Sequence, residues 1–120
     1  MQAYQDFAPT SSIKSPRDSE SEIILSVTRR LKRSAPLRAT DYAAFVSAVH
    51  QNRRLWLLLS ADVAQAGNKL PDQLKENISQ ISAFVVGYSR RILIDDLPMA
   101  PLIDINLAIL RGLRGSEAKS

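Results

Sequence analysis

Cysteine is absent from this 120-residue chain, and histidine occurs once. The first absence removes disulfides, zinc fingers, iron–sulfur clusters and thiol nucleophiles together, and suits a reducing compartment. The second leaves His50 with no companion at metal-ligand spacing, so a structural or partly exposed imidazole is expected, and no metal or cofactor. Four glycines, Gly67, Gly87, Gly112 and Gly115, are too scattered to form a phosphate-cradling loop. Asp95 and Asp96 are adjacent, which points their side chains apart, and they read as solvated charges at a helix end. Nothing here assembles an active site, so a non-enzyme is expected. The longest strictly apolar run, Leu55 to Leu59, covers five residues, where a membrane span needs about twenty. The first fifteen residues lack the apolar centre of a signal peptide. A cytoplasmic protein without a membrane anchor is the expectation.

What is present is enough for one core. Apolar residues make up 45% of the chain, and folding a chain of this size removes roughly two thirds of its unfolded surface from water. No stretch alternates with period two, whereas apolar residues recur at spacings of three and four, so the class is all-α. A compact bundle of three long helices and one short C-terminal helix is expected, with an arm over 1–14, a single helical domain over 15–114 and a tail over 115–120. Ser15-Pro16-Arg17-Asp18 marks the first helix start through a cap hydroxyl, a proline at the first helical position and a carboxylate behind it. That helix should reach about Arg33, with Ile24, Val27 and Leu31 on one stripe. Thr40 is positioned to cap the second, which should run to about Ala66 and end on the left-handed-tolerant pair Gly67-Asn68. Its seam is Tyr42, Phe45, Val49, Asn52, Trp56, Leu59, Val63 and Ala66. Pro71 is expected to open the third helix, carrying Leu74, Ile78, Ile81, Val85, Tyr88 and Ile92 and stopping near Asp95. Pro98 and Pro101 bracket a turn before the fourth, Leu102 to about Leu113.

Three features exceed what a small bundle needs. Leu55, Leu57 and Leu58 lie off the second-helix seam, and the fourth helix is apolar nearly all round, Ile105 and Leu107 included. Central helices covered by their neighbours would absorb that surplus; otherwise it forms a groove for a partner helix or closes a homodimer. Asn52 is the one polar member of its seam, and Asn106 occupies the matching stripe of the fourth helix. Contact between the two amides is expected, because a buried amide costs stability unless hydrogen-bonded, and Trp56 needs an acceptor for its indole N–H. Charge is asymmetric: residues 1–60 hold nine Lys/Arg against five Asp/Glu, and residues 61–120 seven against seven. Arg29, Arg30, Lys32, Arg33 and Arg38 make the one dense basic cluster. Such a cluster suits RNA phosphates or an acidic protein, but cations also belong at a helix C-terminus, and no aromatic is interleaved to stack on a base.

Taken in order, Ala3-Tyr4-Gln5, Ser15-Pro16-Arg17, Val27-Thr28, Asn52-Arg53-Arg54-Leu55-Trp56 with Asp62, Leu70-Pro71, Leu74, Ile78 and Pro101-Leu102-Ile103-Asp104-Ile105-Asn106 with Ile109 and Gly112-Leu113 carry a resemblance. The chain resembles the flagellar biosynthesis regulator FlaF family of alphaproteobacteria over almost its full length. The Asn-Arg-Arg-Leu-Trp and Ile-Asp-Ile-Asn strings at this spacing are its specific part. The resemblance implies a role in flagellum biogenesis and motility, with flagellin as partner in the manner of a secretion chaperone, and the regulator FlbT as an associate in controlling flagellin synthesis. On that basis the flagellin-binding candidates are Leu55, Leu57, Leu58, Ile105 and Leu107, with Arg53 and Arg54 as rim charges. Binding of flagellin message by Arg29, Arg30, Lys32, Arg33 and Arg38 is the alternative.

Overall fold

The structure, a computed structural model, describes residues 16–118, with side chains over 20–113. The expected arm, 1–14, and the cap residue Ser15 lie outside the described residues. All regular structure within them is helical: α1 (Pro16–Ser34), a 3-10 turn (Ala35–Leu37), α2 (Tyr42–Val63), α3 (Asp72–Asp95) and α4 (Ala100–Ala118). Four helices are present as the spacing predicts, and α4 extends beyond 102–113 at both ends.

The periodic residues make the core. Ile24, Val27 and Leu31 of α1 are sealed, together with Ile23, and so is the α2 seam from Phe45 to Val63. The two outer members of that seam are not: Tyr42 is 47% exposed, and Ala66 lies beyond the end of the helix. On α3 the buried stripe is Ile78, Ser82, Val85, Ser89 and Ile92, rotated away from the expected Leu74, Ile81 and Tyr88, which are only half-buried. Small side chains explain the rotation. Ser82 lets α3 come close enough for its hydroxyl to donate to the Trp56 backbone carbonyl of α2 at 3.1 Å, a contact that a larger residue would block. Packing then follows: α2 lies between α1 and α3, and α4 rests mainly on α1 and more lightly on α3. Leu102, Ile109, Leu110 and Leu113 fix α4 there.

The helix ends differ from expectation in three places. Asp41, not Thr40, caps α2, its carboxylate accepting from Ala44 N at 3.1 Å. The carboxylate is the stronger acceptor for an exposed N–H at the positive end of a helix. At the other end α2 stops on Ala64 in a right-handed conformation, and neither Gly67 nor Asn68 takes a positive φ. The loop is closed by side chains: Asn68 Nδ2 donates to Asp62 at 3.2 Å, and its Oδ1 accepts from Leu70 N at 3.0 Å. Pro71 is the residue before α3 rather than its first, leaving Asp72 to face the positive end of the dipole. The left-handed cap that sequence placed after α2 occurs after α3, at Asp96, with φ 53°.

Candidate functional site

A polar cluster lies at the crossing of α2 and α4. Asn106 Nδ2 donates to Asn52 Oδ1 at 2.8 Å, and Trp56 Nε1 donates to Asn106 Oδ1, also at 2.8 Å. All three residues have no exposed surface. One amide on α4 thus joins two α2 positions a helical turn apart, which pins the register of that crossing. Asn52 Nδ2 finds no partner. With no exposure and no titratable member, the cluster is structural rather than a binding surface.

The surplus apolar residues divide. Leu55 is fully buried, so it leaves the set of candidate binding residues: it continues the buried row of Ala48, Asn52 and Leu59 at helical spacing. Leu58, Ile105 and Leu107 are half-buried, the last two packed against the core. Leu57 is 44% exposed, and among the described residues the other large hydrophobics that stay open are Tyr42 at 47%, Phe84 at 49% and Ile94 at 72%. Uncovered apolar surface therefore lies on α2 and α3, whereas sequence placed it on the second and fourth helices. Phe84 and Ile94 were missed because an apolar residue beside a seam looks the same in sequence whether a neighbour covers it or not. Phe84 also stacks on Tyr88, centroids 5.4 Å apart, and the Tyr88 hydroxyl donates to the Pro98 carbonyl at 2.7 Å. That pair holds the α3–α4 turn and leaves the outer ring face of Phe84 open.

Between α2 and α3 runs an open cleft of about 220 Å³, lined by His50, Arg53, Ser89, Arg90, Leu93 and Ile94. Arg53, expected as a rim charge, is half-buried in this wall, and Arg54 beside it is exposed. Among the described residues no three His, Asp or Glu side chains gather as a metal site, and no helix is long and apolar enough to cross a membrane.

The basic cluster is divided by the fold. Arg38 turns inward: its guanidinium donates to the Ile92 carbonyl at 2.7 Å and pairs with Asp96 at 2.9 Å. It also lies 5.0 Å from the Phe45 ring centroid. It closes the C-terminus of α3, where carbonyls lack partners and the dipole is negative. Asp96, expected as a solvated charge at a helix end, is 81% exposed and pairs with Arg38 at the outer edge of that closure, and Asp95 approaches Arg91 at 4.0 Å. Arg30 donates to Gln51 at 2.8 Å across to α2. Arg29, Lys32 and Arg33 remain as an exposed basic patch on α1.

Compared with known proteins, the chain matches the family described as "Flagellar protein FlaF" over residues 1–113. No curated protein and no solved structure matches it.

Proposed function

The chain belongs to the flagellar protein FlaF family, and from that membership we propose that it is a non-catalytic regulator of flagellar biosynthesis, binding flagellin as a secretion chaperone and coupling its level to synthesis. Within a cell the site of action would be the cytoplasm, before export. The observation that carries this reading is the set of large apolar side chains left open on α2 and α3, Leu57, Phe84 and Ile94, on an otherwise well-filled bundle. An export substrate whose helices are amphipathic and unpaired before assembly needs such a surface to cover them. Arg53 and Arg54 lie four and three residues before Leu57 on the same helix and supply charges beside it, and Leu58 is a half-buried secondary candidate. Ile105 and Leu107, packed towards the core on α4, are secondary candidates.

Co-purification with flagellin at two salt concentrations, with and without flagellin message, tests the reading. Retention at both salts without message is expected, since apolar contact is weakly screened. The RNA alternative requires association that depends on message and falls by orders of magnitude as salt rises. It is disfavoured by the use of Arg38 in closing α3, which leaves a smaller footprint on α1. A complex with FlbT would be a separate step, read by adding that protein to the same assay.

A further inference from the structure

The α2–α3 cleft has a chemistry of its own. Three nitrogen-bearing side chains, His50, Arg53 and Arg90, line it, and no acidic residue does. On their own helices neither arginine has an acid three or four residues away: Arg53 is flanked at those spacings by Val49, His50, Trp56 and Leu57, and Arg90 by Val86, Gly87, Leu93 and Ile94. The helical ion pairs that ordinarily occupy surface arginines are therefore ruled out by sequence, whereas the adjacent Arg91 does have one, with Asp95. Leu93 and Ile94 supply an apolar wall. Ser89, also in the lining, is 1% exposed and its hydroxyl has no hydrogen-bond partner. A buried hydroxyl without a partner is uncommon, and its cost is relieved by a ligand atom that accepts from it.

We propose that this cleft receives a carboxylate carried on a short apolar stem, with the Arg53 and Arg90 guanidinium forks around the head group and Leu93 and Ile94 against the stem. Guanidinium forks match the two oxygens of a carboxylate. The cleft, about 220 Å³ and open to solvent on one side, holds a carboxylate head group and a short apolar stem without requiring the rest of the ligand to be enclosed. Inorganic phosphate satisfies the forks but leaves the apolar wall uncovered. Two sources carry the same chemistry, a free aliphatic acid and the C-terminal residue of a polypeptide. The inference stands whether or not flagellin is the partner of the surrounding surface.

The test is an NMR titration of the intact labelled protein, following the arginine Nε–H signals and the backbone amides of Ser89 to Ile94. Acetate, inorganic phosphate, hexanoate and N-acetyl-leucine are the probes. Saturable shifts are expected with hexanoate or N-acetyl-leucine at an affinity at least about tenfold above acetate or phosphate, from burial of the stem. Tighter binding of N-acetyl-leucine than hexanoate points to a chain terminus, and the reverse order to a free acid. Arg90→Gln, at an exposed position where folding is not at risk, should weaken binding about tenfold or more, while Arg91→Gln outside the cleft should change it less than about twofold. Phosphate binding as tightly as the stemmed acids, equal losses in the two variants, or no saturable shift at these signals would overturn the proposal.

Discussion

Removing the Asn106 side chain should cost the protein far more than removing that of Asn52, although both amides are fully buried and differ by no atoms. Asn106→Ala leaves two groups stranded, the Trp56 indole N–H and Asn52 Oδ1, and Asn52 Nδ2 already has no partner. Asn52→Ala strands one group, Asn106 Nδ2, and deletes the amide nitrogen that was unpaired from the start. Each stranded buried group costs roughly 1–3 kcal/mol, while the volume lost is the same in the two variants. Asn106→Ala should therefore lose about 3 kcal/mol or more, and Asn52→Ala about 1–2 kcal/mol. For a domain of this size 3 kcal/mol lowers Tm by roughly 10–20 °C. Urea unfolding followed by the fluorescence of the only tryptophan, Trp56, reads the difference directly, with an unchanged m-value showing that stability alone has moved. The double variant should be less destabilised than the sum, since the pair shares a bond. Equal losses, or a larger loss for Asn52→Ala, would refute the network as described.

Arg38→Ala should destabilise by about 1–3 kcal/mol in thermal melts, because it strips the Ile92 carbonyl of a charged donor; Asp96→Asn, at an 81% exposed partner, should cost under about 1 kcal/mol. Gly87→Ala is expected to stabilise by about 0.5–1 kcal/mol, since the glycine is inside α3 and an added Cβ meets nothing within 4 Å; a drop in Tm would count against it. Leu57→Asp should leave the unfolding midpoint nearly unchanged, Phe84→Ser should lose about 1 kcal/mol with its stack on Tyr88, and each should cut flagellin retention in pull-down at least about tenfold, whereas Leu55→Ala, in the core, should lose about 2–5 kcal/mol. Undiminished retention in the two surface variants would move the flagellin site off α2 and α3.

Most of the architecture was legible because it depends on short-range chemistry. Spacings of three and four in Ile24, Val27 and Leu31, and from Phe45 to Val63, fix helix faces whatever lies opposite them, and a proline at the first position of α1 marks a start without reference to the rest of the chain. The Asn52 and Asn106 pairing was readable for a related reason: a seam amide demands a partner, and few were on offer. The family, too, was suggested by strings such as Asn52-Arg53-Arg54-Leu55-Trp56, and membership is shown by the family match over residues 1–113, neither of which needed coordinates.

The tertiary structure decided what depends on distance between helices. Which apolar residues stay open is set by where neighbours end, so Leu55 went inside, α4 was largely covered and Phe84 and Ile94 were left facing out. The α3 seam turned towards Ser82 and Ser89 because small residues allow two backbones to approach, a preference that hydrophobic counting cannot detect. Arg38 became part of the α3 terminus because carbonyls more than fifty residues away in sequence were brought within reach of it. Periodicity belongs to one helix and can be read along it; exposure, pairing and the cleft of Arg53 and Arg90 belong to two helices at once, and come into being only when they pack.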